Sequence, residues 1–197
     1  MSRTSTPTAI SPRRSWKRRN REITRNADIT ARPARILAVD PGINATGYGV
    51  MEQTSRRISV LASGTIKSRP GQSPPEKLAG IYEVLSGLLD RFAPGALVLE
   101  DVFYHKNVRS TLRLGEVRGV CGLAAARRGI GVYSYASRRV KKATVGNGSA
   151  GKEQVRSMVR VLLGLEEDPE SLDVSDALAL GITYFQDKAC PVSDVLR

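Results

Sequence analysis

Histidine, cysteine and acidic residues are the scarce components of this 197-residue chain. A single histidine, His105, excludes a His-rich metal cage. The two cysteines, Cys121 and Cys190, stand far apart and outside any metal-ligand spacing, so they read as free thiols of a reducing compartment. No apolar run approaches the roughly 18 residues of a membrane span, so a soluble, cytoplasmic protein with no membrane partner is expected. Acids are outnumbered, 19 Asp plus Glu against 31 Lys plus Arg, and the excess is uneven. Residues 1–35 hold ten basic and two acidic groups, and residues 101–163 hold thirteen and three. Such concentrated positive charge makes a polyanion the expected partner.

What is present supports one ordinary domain with tails, since 41% of the residues are hydrophobic. Residues 1–34 are rich in Ser, Thr, Pro and Arg without apolar periodicity and read as a disordered basic arm. The arm could add salt-sensitive attraction to phosphates, with Trp16 available to stack on a base, although its composition also fits an organelle transit peptide. The folded domain is placed at 35–186 and a frayed tail at 187–197.

Within the domain, Ile36 to Val39 form a short apolar run that suits a strand buried on both faces, and it ends in Asp40. Asp40-Pro41-Gly42 is a turn signal, and Thr46 to Val50 return beside the first strand. Arg56 to Ile66 complete an antiparallel meander. Ser73-Pro74-Pro75-Glu76 is a capping box opening a helix with Leu78, Ile81, Leu85, Leu88, Leu89 and Phe92 on one stripe. Ala96 to Glu100 is a second buried strand ending in a carboxylate. The helical crossover places it parallel to the first, and if the two are adjacent Asp40 and Glu100 share one edge.

A loop from Asp101 to Asn107 leads to a helix over Val108–Arg128, whose Gly115, Gly119 and Gly122 form a small-residue flank suited to close packing, including by a second subunit. Gly131 to Ala136 is a further strand, giving a mixed five-stranded sheet flanked by helices. Ser137 to Lys142 is a dense basic cluster, and Gly146 to Ser149 a flexible loop capping a helix with Val155, Met158, Val159, Leu162 and Leu163 on its stripe. Lys141, Lys142 and Lys152 around that loop suit a phosphate backbone. In Ser171 to Phe185, Asp173 and Asp176 share one face of a first helical turn that continues into an apolar helix.

Asp40, Glu100, Asp173 and Asp176 would converge if the last helix crosses the sheet at that edge. Four unpaired carboxylates repel one another, and a divalent cation resolves the repulsion. All-oxygen ligands suit Mg²⁺ or Mn²⁺, and two such ions are a known arrangement for phosphodiester cleavage. The segments DPGINATGYGV, VLEDVF, KNVRSTLRLGEVRG, VKKATVGNGSAGKEQV and DVSDALALGIT, in unbroken order from about Arg35 to Phe185, resemble the RuvC-type Holliday junction resolvases.

That resemblance implies an α/β, RNase H-like fold and a homodimeric, Mg²⁺-dependent endonuclease that nicks two opposed strands of a four-way DNA junction and works with a branch-migration motor. By the same resemblance the metal ligands are Asp40, Glu100, Asp173 and Asp176. Some relatives carry His where Asp173 stands. Phe103 matches an aromatic that contacts bases near the junction centre, Lys141 and Lys152 match basic residues near the scissile phosphate, and Lys106, Arg109 and Lys142 join the DNA contacts. A junction-binding protein without catalysis would not need the four acids. An actin-like or sugar-kinase ATPase would need a second phosphate loop and a nucleoside pocket for which about 160 folded residues leave no room. A related RNase H-like nuclease acting on another branched or RNA-containing substrate would share the acids.

Overall fold

The computed structural model describes residues 34–55, 57–101 and 108–188. Residues 1–33 of the basic arm, Phe103, His105, Lys106 and Cys190 lie outside these residues, while Ala34, expected in the arm, opens the first strand. In order come β1 (Ala34–Asp40), β2 (Ala45–Thr54), β3 (Arg57–Lys67), α1 (Pro74–Phe92), β4 (Ala96–Glu100), α2 (Val108–Ala126), β5 (Gly131–Tyr135), α3 (Ser137–Val145), α4 (Lys152–Leu163) and α5 (Leu172–Lys188). The strands form one mixed sheet in the order β3-β2-β1-β4-β5. β1, β2 and β3 are an antiparallel meander, whereas β4 runs parallel to β1 and β5 parallel to β4.

Side-chain alternation divides the central strands between two cores. Ile36 and Ala38 of β1, with Ala96 and Val98 of β4, face a core closed by α5, α3 and α4. Leu37, Val39, Leu97 and Leu99 face the opposite core, closed by Ile81, Leu85 and Leu89 of α1 and Val117, Cys121 and Ala124 of α2. Both apolar runs are therefore buried on both faces. Glu76 accepts the Ser73 N–H at 2.7 Å and opens α1, as the capping box requires. Cys121 is a free, buried thiol whose pKa is pushed up to about 12 by burial.

Two segments differ from the sequence expectation. Ser137 to Val145 is a helix rather than a basic cluster running into a loop. Its apolar signal is slight: Val140 and Thr144, four residues apart, are buried under a surface of Arg and Lys, and Val145 packs half-buried at the end of the helix. Gly146 ends α3 with φ of 77°, and α4 is capped at Gly151, whose N–H donates to Gln154 Oε1 at 3.0 Å. At the other end α5 runs on to Lys188. Asp187, expected in the tail, pairs with Arg139 at 2.8 Å and is part of the fold.

Candidate active site

β1 and β4 end side by side. Val39 pairs with Leu99, so the next residues, Asp40 and Glu100, stand together at the carboxyl edge of the sheet. Alternation from Ile36 and Ala38, and from Ala96 and Val98, turns both carboxylates toward the α5 face. Asp40 also pairs with Gly47 of β2, and Gly47 with Thr65 of β3. Four strands thus contribute one rung, Glu100, Asp40, Gly47 and Thr65, and α5 begins above it.

Gly47 is what allows that start. A Cβ at this position would overlap the Asp173 carbonyl group and lie 3.0 Å from Asp173 Cβ, so only glycine lets the first turn of α5 rest on β2. The turn is anchored by Ser171, whose Oγ accepts the Val174 N–H at 3.2 Å and shares a 3.0 Å hydrogen bond with Thr65 Oγ1. Helix geometry then sets Asp173 and Asp176 beside Asp40. On the strand side, buried Thr46 donates from Oγ1 to the Gly42 carbonyl at 2.6 Å and fixes the Asp-Pro-Gly turn.

Burial is the largest influence on Asp40 and Glu100 the next. With a hydrogen bond to Glu100 and the charges of Asp176 and Asp173, they raise its carboxyl to about 8 from an ordinary 3.8. The four acids are therefore close enough to sense one another, although among the described residues no three are grouped tightly enough to hold one ion. Lys152, at the start of α4, supplies the opposing charge through a 2.9 Å bond from Nζ to Asp176 Oδ2. That bond, aided by the charges of Asp40 and Asp173, raises the Lys152 pKa.

Among the described residues, Lys152 is the cation from the sequence candidates that the structure brings into contact with the acids. Lys141 and Lys142 lie on α3, the first half-buried and the second exposed. Arg109 lines a cavity of about 310 Å³ between the first turn of α2 and Ile43, which belongs to the turn following Asp40. Phe103 and Lys106 fall outside the described residues. A larger cavity of about 570 Å³ between α3 and α4 has Glu153 as its one charged lining residue and offers nothing to a polyanion. Sequence reasoning missed the parts played by Gly47, Thr65 and Ser171, because nothing local tells a glycine under a helix from a glycine in a strand.

The donor set is all oxygen and half-buried and carries more negative charge than Lys152 offsets, so it fits a hard divalent cation in donor type and charge, an ion that would draw the carboxylates closer than they stand here. The family model described as crossover junction endodeoxyribonuclease RuvC matches residues 36–184. The crossover junction endodeoxyribonuclease RuvC of Photorhabdus laumondii is 45% identical over 151 residues, covering 77% of this chain and 86% of its own. That of Pelotomaculum thermopropionicum is 42% identical over 149 residues, covering 76% and 91%. The Thermus thermophilus RuvC solved in complex with Holliday junction substrate superposes with a TM-score of 0.72 at 32% identity, covering 77% of this chain and 93% of that one. The sheet order, the helical layers and these matches identify an RNase H-like fold, and the chain belongs to the RuvC family of crossover junction endodeoxyribonucleases.

Proposed function

We propose that this protein resolves four-way DNA junctions by metal-dependent nicking of two opposed strands, in recombination and repair in the bacterial cytoplasm. The observation that carries this reading is the meeting of Asp40, Glu100, Asp173 and Asp176 at one sheet edge with Lys152 against them, in a chain of the RuvC family. Asp40, central and shared, with Glu100, Asp173 and Asp176 around it, would hold two Mg²⁺ ions, with Mn²⁺ able to substitute. When bound, such ions supply an activated water and stabilise the departing 3′ oxygen. Asp40 stays ionised once a cation replaces its proton, and Glu100 orients the same edge from β4. Lys152 can exchange its Asp176 partner for a phosphate oxygen, which carries the negative charge a lysine Nζ seeks. Lys141, Lys142, Arg109, Lys106 and Phe103 are assigned to the DNA beyond the cleaved bond.

Incubation with a mobile four-way junction, a linear duplex and an RNA/DNA hybrid in Mg²⁺ tests the reading. Cutting of the junction alone, with paired nicks, is expected, and preferential cutting of the hybrid would transfer the site to an RNA-containing substrate. Replacing Lys141 and Lys152 together by Ala is expected to slow cleavage and to reduce the log–log salt slope of junction binding by about one for each phosphate that is no longer neutralised. Titration of binding against salt measures it.

Dimerisation is assigned to the outer face of α2. Leu112 and Leu123 are exposed there at 64% and 54%, and among the described residues a Cβ on Gly115, Gly119 or Gly122 would meet no other element within 4 Å. Such a row of small residues between leucines admits a second helix at short range. Gly119→Arg is expected to keep the fold and give a monomer in sedimentation or light scattering, with paired nicking abolished. A dimer unaffected by this change would move the interface elsewhere. The branch-migration motor is the proposed partner in the cell.

A further inference from the structure

Arg118 is a charged side chain that the chemistry above does not use. It stands on α2 between buried Val117 and Cys121, and its side chain is 20% exposed. Its guanidinium reaches from the helix to the end of the sheet. Nη1 donates to the main-chain carbonyl of Glu100, Nη2 donates to Ser134 Oγ at 3.0 Å, and Asp101 Oδ1 lies 3.6 Å from Nη2. The three acceptors belong to neighbouring ends of two strands. Ser134 of β5 pairs with Leu99, Glu100 pairs with Tyr135, and the Asp101 N–H donates to the Tyr135 carbonyl at 2.8 Å.

Glu100 is the last residue of β4. The peptide that joins Glu100 to Asp101 is held at its N–H by the Tyr135 carbonyl and at its carbonyl by Arg118, so the strand end from which the Glu100 side chain projects is clamped from β5 and from α2. A planar guanidinium with several fixed donors can hold a carbonyl, a hydroxyl and a carboxylate together, which an ammonium group cannot do in the same geometry. We propose that Arg118 is the positioning residue of Glu100. By fixing the Glu100 carbonyl against Ser134 and Asp101, it sets the direction in which the Glu100 carboxylate enters the acid cluster, and so the affinity of that cluster for a divalent cation. This rests on the metal-dependent nuclease reading of the same site. It also makes α2, which carries the proposed subunit interface, the element that orients a ligand on a different element.

The experiment measures Mn²⁺ binding to the full-length protein without DNA, by calorimetry or by the loss of the free Mn²⁺ resonance, for wild type, Arg118→Lys, Arg118→Met and Ser134→Ala. Removal of a partner that orients a metal ligand costs roughly 10-fold to 100-fold in metal affinity or activity. Arg118→Met is expected in that range, Arg118→Lys at its lower end because charge is kept and the fork removed, and Ser134→Ala at about twofold. Junction cutting should recover in the Arg118 variants as metal is raised, with metal-free junction binding unchanged. A merely structural role would lower the melting temperature and leave Mn²⁺ affinity where it was. If Arg118→Met does not fold, Arg118→Lys and Ser134→Ala carry the comparison. Variants that bind Mn²⁺ as wild type does, while wild type binds and cuts, overturn this proposal alone. A wild type that does not bind Mn²⁺ overturns it together with the metal-dependent reading.

Discussion

Asp40→Asn is expected to reduce junction cutting by at least about 10³-fold, the scale on which a group acting directly on the reacting charge is felt, while metal-free junction binding persists. Gel-resolved cleavage and a binding titration separate the two, and cutting at the wild-type rate would remove Asp40 from the centre of the site. The same variant changes stability in a direction that the electrostatics prescribe. In the metal-free protein, burial first and Glu100 next raise the Asp40 carboxyl from 3.8 to about 8. Between those values the folded chain keeps a proton that the unfolded chain has released, so stability falls as pH rises and levels off above about 8. A single proton sets a slope of at most about 1.4 kcal/mol per pH unit, and the accumulated loss is on the order of a few kcal/mol.

Asparagine carries no charge to bury. In chelator at the alkaline end of this range, Asp40→Asn should therefore unfold at higher urea than wild type, with the gap closing toward the acid end. Divalent cation added at alkaline pH should stabilise wild type by neutralising the carboxylate charge that the lost proton leaves behind, and should do much less for the variant. Urea midpoints across the range, with and without Mg²⁺, measure both effects. Parallel curves for the two proteins would show that the repulsion is centred on another carboxylate.

Gly47→Ala is expected to be nearly as damaging, although it touches no reacting atom. The new methyl would occupy the place of the Asp173 carbonyl, which is backbone and cannot rotate away. The first turn of α5 must lift, taking Asp173 and Asp176 with it, and the overpacking should cost roughly 1 to 3 kcal/mol. A displacement of about 1 Å at a catalytic constellation is enough for a 10²-fold loss in rate. Gly49→Ala is the matched control, because there the obstacle is Leu178 Cδ2 at 2.7 Å, the end of a side chain that can change rotamer. The control should lose stability but retain more cutting. Thermal melts and cleavage rates of the pair test this, and equal activity for Gly47→Ala and wild type would mean that α5 is not seated by that glycine.

Much of this architecture was legible in the chain. Ile36 to Asp40 and Ala96 to Glu100 read as buried strands ending in carboxylates because an all-apolar run followed by a breaker has few other uses in a domain of this size. α1 announced itself by its capping box and leucine stripe, and the five motifs identified the family from residues alone. α3 did not, since in nine residues the helical period appears once and the basic surface conceals it. A tail boundary at 187 falls too early because Asp187 is polar and only its bond to Arg139 places it inside the fold.

The sequence by itself determined which atoms are available: four carboxylates, a lysine-rich flank and two strands whose period is short enough to be read locally. The tertiary structure alone decided how they meet. Strand alternation is local, but the rung joining Glu100, Asp40, Gly47 and Thr65 depends on register across four strands, and register is fixed by long-range pairing. The seat of α5 on Gly47, the bond from Lys152 to Asp176 and the reach of Arg118 to the Glu100 carbonyl each join residues distant in the chain. Interactions of that kind leave no periodicity behind them, because their geometry belongs to the packed fold and not to any segment of it.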